Sequence, residues 1–372
     1  MASIPADPPS PASVVQIRIP VPGREHMDVI GAGCRSRLPE LLQSLRASGV
    51  AMITDRNVAP RWAPEVVGQV QSLGFACPVL ELAPGEESKS PAGLAQALDF
   101  LEQQRLDRAS VVLALGGGTV GDLAGFASSI WLRGVRVVQI PTTLLAMIDS
   151  AVGGKTAINS AHSKNSIGTF WQPSLVLSDL DFLSSLTEEE YLAAYGEVVK
   201  YAVAMDQELA HQLDQEVNRL RARDGGLLTL LIARCVGLKA GVVGADEQDR
   251  GARAILNYGH TIGHAIEAAS GYSAVHGRAV AMGMRGAVRL AWRSGLCEEG
   301  LIQAQDRLLE AYSLPGPLPR VDPGQVLAGL SRDKKSSAGR IGWVLPVRLG
   351  HALVGQEVEE RHLAPVLEEI LA

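Results

Sequence analysis

The stretch "SVVLALGGGTVGDLAGFAS", residues 110–128, decides the fold class of this chain. An apolar run that is typical of a buried strand ends in three consecutive glycines, and a helix is predicted to begin near Gly121. Glycines at such a turn allow backbone N–H groups to approach a pyrophosphate at the helix N-terminus. The stretch alone leaves two interpretations open, a nucleotide site and a tight strand-to-helix turn.

The segments on either side of this turn alternate between strand and helix patterns. Apolar runs at 50–55 ("VAMITD"), 77–83 ("CPVLELA") and 135–143 ("VRVVQIPTT") are separated by helical patterns at 63–73 and 91–104. This alternation is typical of an α/β layer with a parallel sheet, and continuous apolar strands fit a sheet that is covered on both faces.

Helical patterns dominate after about Pro173. They are found at 227–243, 261–270 and 277–294, and Thr187 with Glu190 has the spacing of a capping box. The sequence therefore predicts an N-terminal α/β domain with a parallel, Rossmann-like sheet at 16–175 and a mainly α-helical C-terminal domain at 176–372. The Pro-rich residues 1–15 are expected to form a disordered leader, since they lack the apolar core of a signal peptide.

Composition excludes several classes of protein. The chain has 372 residues, a net charge of −6 and 47% hydrophobic residues, as expected for a soluble globular protein without nucleic-acid or membrane binding. Its four cysteines are scattered without a C-x-x-C pair, which indicates reduced thiols in a cytoplasmic protein.

Lysines beside glycines predict an anion site. In "PTTLLAMIDSAVGGKTAIN", residues 141–159, two threonines follow a predicted strand, Asp149 stands in an apolar segment, and Lys155 follows two glycines. Lys164 and Asn165 come shortly afterwards. Single lysines are usually solvated, but this grouping at a loop favours a negatively charged ligand.

A third group of residues has the chemistry of a metal site. In "NYGHTIGHAIE", residues 257–267, His260 and His264 are four apart, so they share one helix face. This is the spacing of a zinc-binding helix and also of any two helical neighbours. Glu197, which lies among apolar residues, and His276 would complete a set of one carboxylate and two imidazoles, the pattern of a catalytic zinc site. The spacing leaves open whether both histidines of the helix bind the ion.

Taken together, the motifs resemble the 3-dehydroquinate synthase family of sugar phosphate cyclases. They are "GGGTVGDLAGF", "LRGV", "IPTTLLAMIDSAVGGKTAIN", "KNSIG", "GEVVK", "NYGHTIGHAIE", "HGRAV" and "RDKK", in the family's order over roughly residues 50 to 346. The resemblance implies a carbon–oxygen lyase of the shikimate pathway, which forms 3-dehydroquinate and phosphate from 3-deoxy-D-arabino-heptulosonate 7-phosphate. It also implies recycled NAD, and Zn²⁺ or Co²⁺, as cofactors.

The resemblance assigns NAD to the first domain and the metal to the second, with substrate contacts in both. It implies metal ligands at Glu197, His260 and His276, and it places His264 in the active site without making it a ligand. NAD contacts are implied at Asp55, Glu86, Lys89, Gly117, Gly118, Asp122, Thr142, Thr143, Lys164, Phe182 and Ser185. Catalytic groups are implied at Lys155, Lys200, Lys239, Arg253, Asn257 and His264, and substrate contacts at Asp149, Asn165, Arg133 and a lysine of "DKK", for which Lys335 is favoured. Arg133 matches a residue that reaches the neighbouring subunit's site, which implies a homodimer.

Two positions depart from the family pattern, and three alternatives stay open. Arg278 stands where an acidic residue is common, and Thr119 where an aliphatic residue is usual. The alternatives are another sugar phosphate cyclase that makes an aminocyclitol or valiolone precursor, a metal-dependent polyol dehydrogenase with net redox turnover, and an inactive NAD- or zinc-binding module. The last would be expected to lack a ligand or a lysine, and none is missing here.

Overall fold

The structure, a computed structural model, describes residues 14–161, 163–336 and 341–372, without the side chains of residues 331–336. The chain forms two compact units. Unit 1 comprises Met1–Leu186 and Gly225–Gln248, and unit 2 comprises Thr187–Asp224 and Asp249–Ala372. The predicted leader, residues 1–15, lies outside the described residues except for its last two.

Unit 1 contains a seven-stranded sheet and a small hairpin. Its strands are β1 (Val15–Ile19), β2 (His26–Gly31), β3 (Val50–Asp55), β4 (Val79–Leu82), β5 (Val111–Gly116), β6 (Arg136–Pro141), β7 (Lys155–Ile158), β8 (Ile167–Phe170) and β9 (Leu175–Asp179). The sheet order is β1-β2-β9-β6-β5-β3-β4. Only the β1–β2 pair of this sheet is antiparallel, while β7 and β8 form a separate antiparallel hairpin.

Helices cover the sheet of unit 1. They are α1 (Leu38–Ser44), α2 (Ala59–Gln71), α3 (Pro91–Gln103), α4 (Gly118–Ile130) and α9 (Gly225–Ala245). The strand β5 is buried along its whole length, and a core cluster joins its residues Val112 and Ala114 to Leu123 of α4 and Leu101 of α3. This arrangement confirms the predicted α/β class, since strands that are buried on both faces lack a polar face.

Unit 2 is mainly helical. Its helices are α5 (Glu188–Ala193), α6 (Tyr195–Met205), α7 (Gln207–Gln215), α8 (Val217–Arg221), α10 (His260–Ala269), α11 (His276–Arg293), α12 (Gly300–Ala311), α13 (Pro323–Ser336) and α14 (Leu363–Leu371). The strands β10 (Trp343–Arg348) and β11 (His351–Gln356) form an antiparallel hairpin. Thr187 and Glu190 make both bonds of the predicted capping box at the start of α5. The mainly helical second part is thereby confirmed.

The helix α9 is apolar on almost every side. Among the described residues it is the one helix whose length and composition would suit a membrane span, but 67% of its most apolar window is buried inside the protein. It packs on β1 and on the turn at Ala146–Ser150, both in unit 1. A core helix of a globular protein has these properties, because it is surrounded by apolar neighbours.

Candidate active site

The glycine-rich turn joins β5 to α4 with almost no free space. A Cβ atom added at Gly118 would lie 2.9 Å from Oγ of Ser150, and one added at Gly121 would lie 2.7 Å from Oε1 of Gln139 on β6. Gly116, Gly118 and Gly121 have the G-x-G-x-x-G spacing of dinucleotide-binding turns, in which the third glycine permits close helix–strand packing. Sequence reasoning missed this spacing, which is a signal in favour of a nucleotide site over a plain strand-to-helix turn.

Most of the predicted cofactor positions follow the carboxyl ends of five parallel strands. Asp55 ends β3, Glu86 and Lys89 follow β4, and Gly117 follows β5. The remaining positions at this edge are Thr142 and Thr143 after β6, and Phe182 and Ser185 after β9. These strands are neighbours in the sheet, in the order β9-β6-β5-β3-β4. The carboxyl edge of an open parallel sheet is where such folds bind ligands.

Lys89 organises the polar groups at this edge. Its side chain is buried, forms an ion pair with Asp122 on α4 and donates a hydrogen bond to the side chain of Asn165. Burial raises the pKa of Asp122 to about 6, although the neighbouring charge of Lys89 lowers it. The lysine therefore offsets part of the effect of burial on this half-buried carboxylate and favours its ionised form.

Asn159 is a polar residue that sequence reasoning missed. Its Nδ2 donates to Glu86 (2.7 Å), its Oδ1 accepts from the backbone N–H of Asn165 (2.9 Å), and its own N–H donates to the carbonyl of Lys89 (2.8 Å). It thus connects three predicted positions. Its place at the end of the motif "GGKTAIN" was the available signal.

A second buried lysine of unit 1 lies on α9. Nζ of Lys239 donates to Oδ1 (2.6 Å) and to the backbone oxygen (2.7 Å) of Asp149. Lys155, at the start of β7, and Asn165 are exposed. The structure thus brings Lys239 and Asp149 together although they are 90 residues apart in sequence.

The other predicted positions of unit 1 have diverse local roles. The carboxylate of Asp55 accepts from the N–H groups of residues 57 (2.8 Å) and 58 (3.1 Å), just before α2. Phe182 is fully buried, Oγ of Ser185 accepts from Nε1 of Trp62 (3.0 Å), and Lys164 is half-buried. Arg133 is exposed in a turn where it has a φ of 66°. The side chain of Lys335 lies outside the description.

In unit 2, three predicted metal ligands lie together. Glu197 is on α6, His260 is the first residue of α10, and His276 is the first residue of α11. Their candidate ligand atoms all lie within 4.8 Å of one another, and Nε2 of each histidine is 3.5 Å from Oε1 of Glu197. Glu197 is fully buried, and the charged or polar side chains of Lys200, His260 and His276 surround its two oxygens. One carboxylate with two imidazole nitrogens close to it has the donor set of a catalytic zinc site, so the group fits a bound divalent cation.

His264 lies beside this group and not within it. Its side chain is exposed, with ring centroids 5.2 Å from His260 and 6.2 Å from His276. A second possible ligand group consists of His264, Glu267 and His276. The two histidines of the same helix face therefore belong to different groups that share His276.

Electrostatic coupling within the group is strong. Burial would raise the pKa of Glu197, but Lys200 and the two histidines hold it well below its usual value. Burial lowers the pKa of His260 to about 3, whereas Glu197 and Glu267 overcome burial and raise the pKa of His276 to about 10. Lys200 is itself buried and forms an ion pair with Glu197. Arg253, also buried, and Asn257, which is exposed, lie in the turn Ala252–Asn257 that precedes α10.

Glycines bring these helices close together. A Cβ at Gly277 would lie 1.9 Å from the carbonyl oxygen of Ala193, and one at Gly283 would lie 1.9 Å from that of Gly259. The backbone of α11 therefore touches the residues that precede α6 and α10. Arg278, which stands where the family commonly has an acidic residue, pairs with Glu189 (3.1 Å) and donates to the carbonyl of Pro317 (2.8 Å). The arginine at this position therefore has its own polar partners.

Comparison with known proteins gives one consistent result. The family described as "3-dehydroquinate synthase N-terminal" matches residues 79–193, and "3-dehydroquinate synthase C-terminal" matches residues 194–336. The 3-dehydroquinate synthase of Desulforamulus reducens is 43% identical over 322 residues, which cover 86% of this chain and 90% of that protein.

Solved structures share the fold along almost the whole chain. A 2-deoxy-scyllo-inosose synthase complexed with carbaglucose-6-phosphate, NAD⁺ and Co²⁺ has a TM-score of 0.88 at 25% identity, covering 96% of this chain and all of that one. A 2-epi-5-epi-valiolone synthase from Streptomyces hygroscopicus with NAD⁺ and Zn²⁺ bound has a TM-score of 0.85 at 26% identity, covering 93% and 96%. Both the matched profiles and the identity to the bacterial enzyme lead to the same assignment: this chain belongs to the 3-dehydroquinate synthase family.

Proposed function

We propose that the chain converts 3-deoxy-D-arabino-heptulosonate 7-phosphate into 3-dehydroquinate and phosphate, using NAD and one divalent metal ion. The observation that carries this proposal is the set of buried cations. Among the described residues, the buried lysines and arginines are Lys89, Lys200, Lys239 and Arg253. All four stand at predicted cofactor or substrate positions. Lys and Arg are almost never fully buried unless they are paired, and the three lysines pair with Asp122, Glu197 and Asp149, which are themselves predicted cofactor, metal or substrate positions. This concentration of buried charge at the predicted positions supports a charged, polar ligand.

Glu197, His260 and His276 are the residues that would hold the metal, since their candidate ligand atoms all lie within 4.8 Å of one another. Zn²⁺ or Co²⁺ bound there would act as a Lewis acid toward substrate oxygens. Lys200 beside Glu197 keeps a positive charge within reach of the same carboxylate. We expect it to orient an oxygen of the substrate through a charge-assisted hydrogen bond.

The carboxyl edge of the unit 1 sheet is where we expect NAD to lie. Bound NAD would supply reversible hydride chemistry at this edge, without net oxidation of the substrate. Gly117 and Gly118 offer backbone N–H groups at the N-terminus of α4, and Asp122, kept ionised by Lys89, can accept hydrogen bonds from ribose hydroxyls. Thr142 and Thr143 lie after the neighbouring strand.

The remaining polar residues suit an anionic substrate and proton transfer. Lys155, Lys239 and Arg253 would bind its phosphate and carboxylate. Asp149 would orient Lys239, to which it is already hydrogen-bonded. His264, exposed beside His260, is placed to hold or move a proton, and Asn257 lies seven residues earlier, in the turn that precedes α10.

Two further points extend this proposal. The enzyme would act in the cytoplasm, which agrees with cysteines that form no disulfide among the described residues. It would act as a homodimer to which Arg133 contributes, because this residue matches a family position that reaches the neighbouring subunit's site and its side chain is exposed here.

Substrate choice separates the proposal from the other cyclases. The heptulosonate phosphate carries a carboxylate, which a hexose phosphate lacks. We expect rapid phosphate release from 3-deoxy-D-arabino-heptulosonate 7-phosphate and none above background from glucose 6-phosphate, each assayed with NAD⁺ and Zn²⁺. The 43% identity to a bacterial 3-dehydroquinate synthase, against 25% to the inosose synthase, supports this choice. The reverse preference would replace the proposal by an inosose-type cyclase.

A further inference from the structure

Glu267 is a buried carboxylate that no role assigned above uses. It lies on α10, one turn after His264 and two turns after His260, and it is 4% exposed. A carboxylate with so little access to water requires a polar partner. Its oxygen Oε1 lies 3.5 Å from Nδ1 of His276, on the opposite side of that ring from Glu197.

The two predicted histidine ligands share one design. Both direct Nε2 toward Oε1 of Glu197 at 3.5 Å. Nδ1 of His260 lies 3.1 Å from the carbonyl oxygen of Tyr258, and Nδ1 of His276 lies beside Glu267. Each ring therefore directs one nitrogen toward Glu197 and has an oxygen beside its other nitrogen. A backbone carbonyl oxygen and an ionised carboxylate oxygen both act only as hydrogen-bond acceptors.

We propose that Glu267 is a positioning residue for the metal site, which accepts the Nδ1 proton of His276 and thereby presents the Nε2 lone pair to the ion. An acceptor on the second ring nitrogen fixes the tautomer and the ring orientation and makes the ligand more basic. His276 needs this support more than His260, because its side chain is 33% exposed, against 13% for His260. The proposal rests on the metal site proposed above.

The spacing of Glu267 in the sequence is compatible with this role. It follows His260 by seven residues, so it shares the helix face of both histidines. The alternative role is that of a ligand, since His264, Glu267 and His276 also have candidate ligand atoms within 4.8 Å of one another. In that case, Glu267 would hold an ion directly.

Metal affinity tests the proposal without relying on turnover. The full-length protein, Glu267→Ala and Glu267→Gln would be stripped of metal and titrated with Zn²⁺ against a chromophoric chelator, and the Co²⁺ forms would be compared by their visible d–d spectra. We expect Glu267→Ala to weaken Zn²⁺ binding about 10- to 100-fold and to alter the Co²⁺ spectrum, because the ring loses its orientation. Glu267→Gln keeps an acceptor oxygen, so we expect it to recover part of that loss.

Controls separate the outcomes. Glu368→Ala on α14 removes an exposed carboxylate and should leave the affinity unchanged. The NAD affinity of each variant serves as a check that unit 1 is folded. If Glu267→Ala does not fold, an intermediate Zn²⁺ affinity of Glu267→Gln decides. A Zn²⁺ affinity within twofold of the parent in both variants overturns the proposal. The proposal also fails if the parent binds two ions and the Glu267 variants bind only one, because Glu267 would then be a ligand of the second ion. A parent protein that binds no divalent ion would instead overturn the proposed function.

Discussion

At the scale of single residues, His260 and His264 differ in what surrounds them although one helical turn separates them. His260 is within 3.5 Å of the Glu197 carboxylate, whereas His264 is exposed and belongs to the group with Glu267. We expect His260→Ala to lose bound metal and activity together. His264→Ala should keep the metal and lose rate, because a proton-transfer group typically contributes about 10²- to 10⁴-fold.

The measurement is metal content by elemental analysis after gel filtration, taken beside the rate of phosphate release. His276→Ala provides the matched comparison and should behave like His260→Ala. Metal lost from His264→Ala but retained by His260→Ala would move the ion to the group of His264, Glu267 and His276.

Asp28 gives a prediction about pH at the same scale. It is fully buried on β2, accepts a hydrogen bond from Ser178 (2.9 Å), and burial raises its pKa to about 7. An acid with a raised folded-state pKa binds more protons when folded, so its ionisation costs stability above its unfolded pKa, until the cost is complete above about pH 7. The full cost is on the order of 4 kcal/mol, at about 1.4 kcal/mol for each pKa unit.

Asp28→Asn should remove this cost and keep the acceptor for Ser178. We expect the urea midpoint of the variant to exceed that of the parent at pH 8, and the difference to shrink as the pH falls to 5. A difference that is constant between these pH values would show that Asp28 ionises as freely in the folded protein as in the unfolded chain.

At the scale of elements, the contact between α10 and α11 positions the predicted ligands. An alanine at position 283 would place Cβ 1.9 Å from the carbonyl oxygen of Gly259, next to His260. Since that neighbour is backbone, the helices must separate. We expect Gly283→Ala to lower stability by about 1–3 kcal/mol and to weaken metal binding.

Gly237→Ala is the matched control for this substitution. Gly237 lies within α9, and nothing stands within 4 Å of an added Cβ, so the higher helix propensity of alanine should leave stability equal or slightly greater. Both variants would be followed by thermal unfolding and by zinc titration. Equal midpoints for Gly283→Ala and the parent would mean that α10 and α11 can part without cost.

Sequence patterns predicted the elements better than their partners. Apolar runs and periodicity anticipated β3, β5, β6 and most long helices, because those elements bury continuous or periodic apolar surfaces. The hairpin of β10 and β11 was not anticipated, since Pro346 and glycines interrupt its alternation. Nor could the pattern show that α9 packs with the sheet of unit 1, because a helix that is apolar all round does not reveal its neighbours.

Site residues followed the same rule. Motifs pointed to Glu197, His260 and His276, which the structure places within one group. Asn159 and Glu267 were not predicted, because they are common residue types whose importance comes from what they contact. Contacts such as Lys239 with Asp149 depend on the folded chain, and spacing alone cannot predict them.

At the scale of the whole molecule, the central claim is a reaction that uses redox chemistry without net oxidation. The family assignment covers residues 79–336, and these contain every predicted NAD, metal and substrate position except Asp55. A polyol dehydrogenase would share such a cofactor and metal but would convert one NAD⁺ for each substrate. Counting phosphate and NADH in the same reaction therefore separates the two enzymes.

The most direct measurement combines both counts. The protein would be given 3-deoxy-D-arabino-heptulosonate 7-phosphate in large excess over NAD⁺, with inorganic phosphate and absorbance at the NADH band recorded together, and with a chelator added to a parallel sample. We predict many phosphates released for each NAD⁺ present, no net NADH, and loss of turnover in the chelated sample that returns with Zn²⁺. Two results would contradict a metal-dependent reaction with recycled NAD. One is NADH formed in proportion to the substrate consumed, and the other is phosphate release at the same rate without NAD⁺ and in the presence of the chelator.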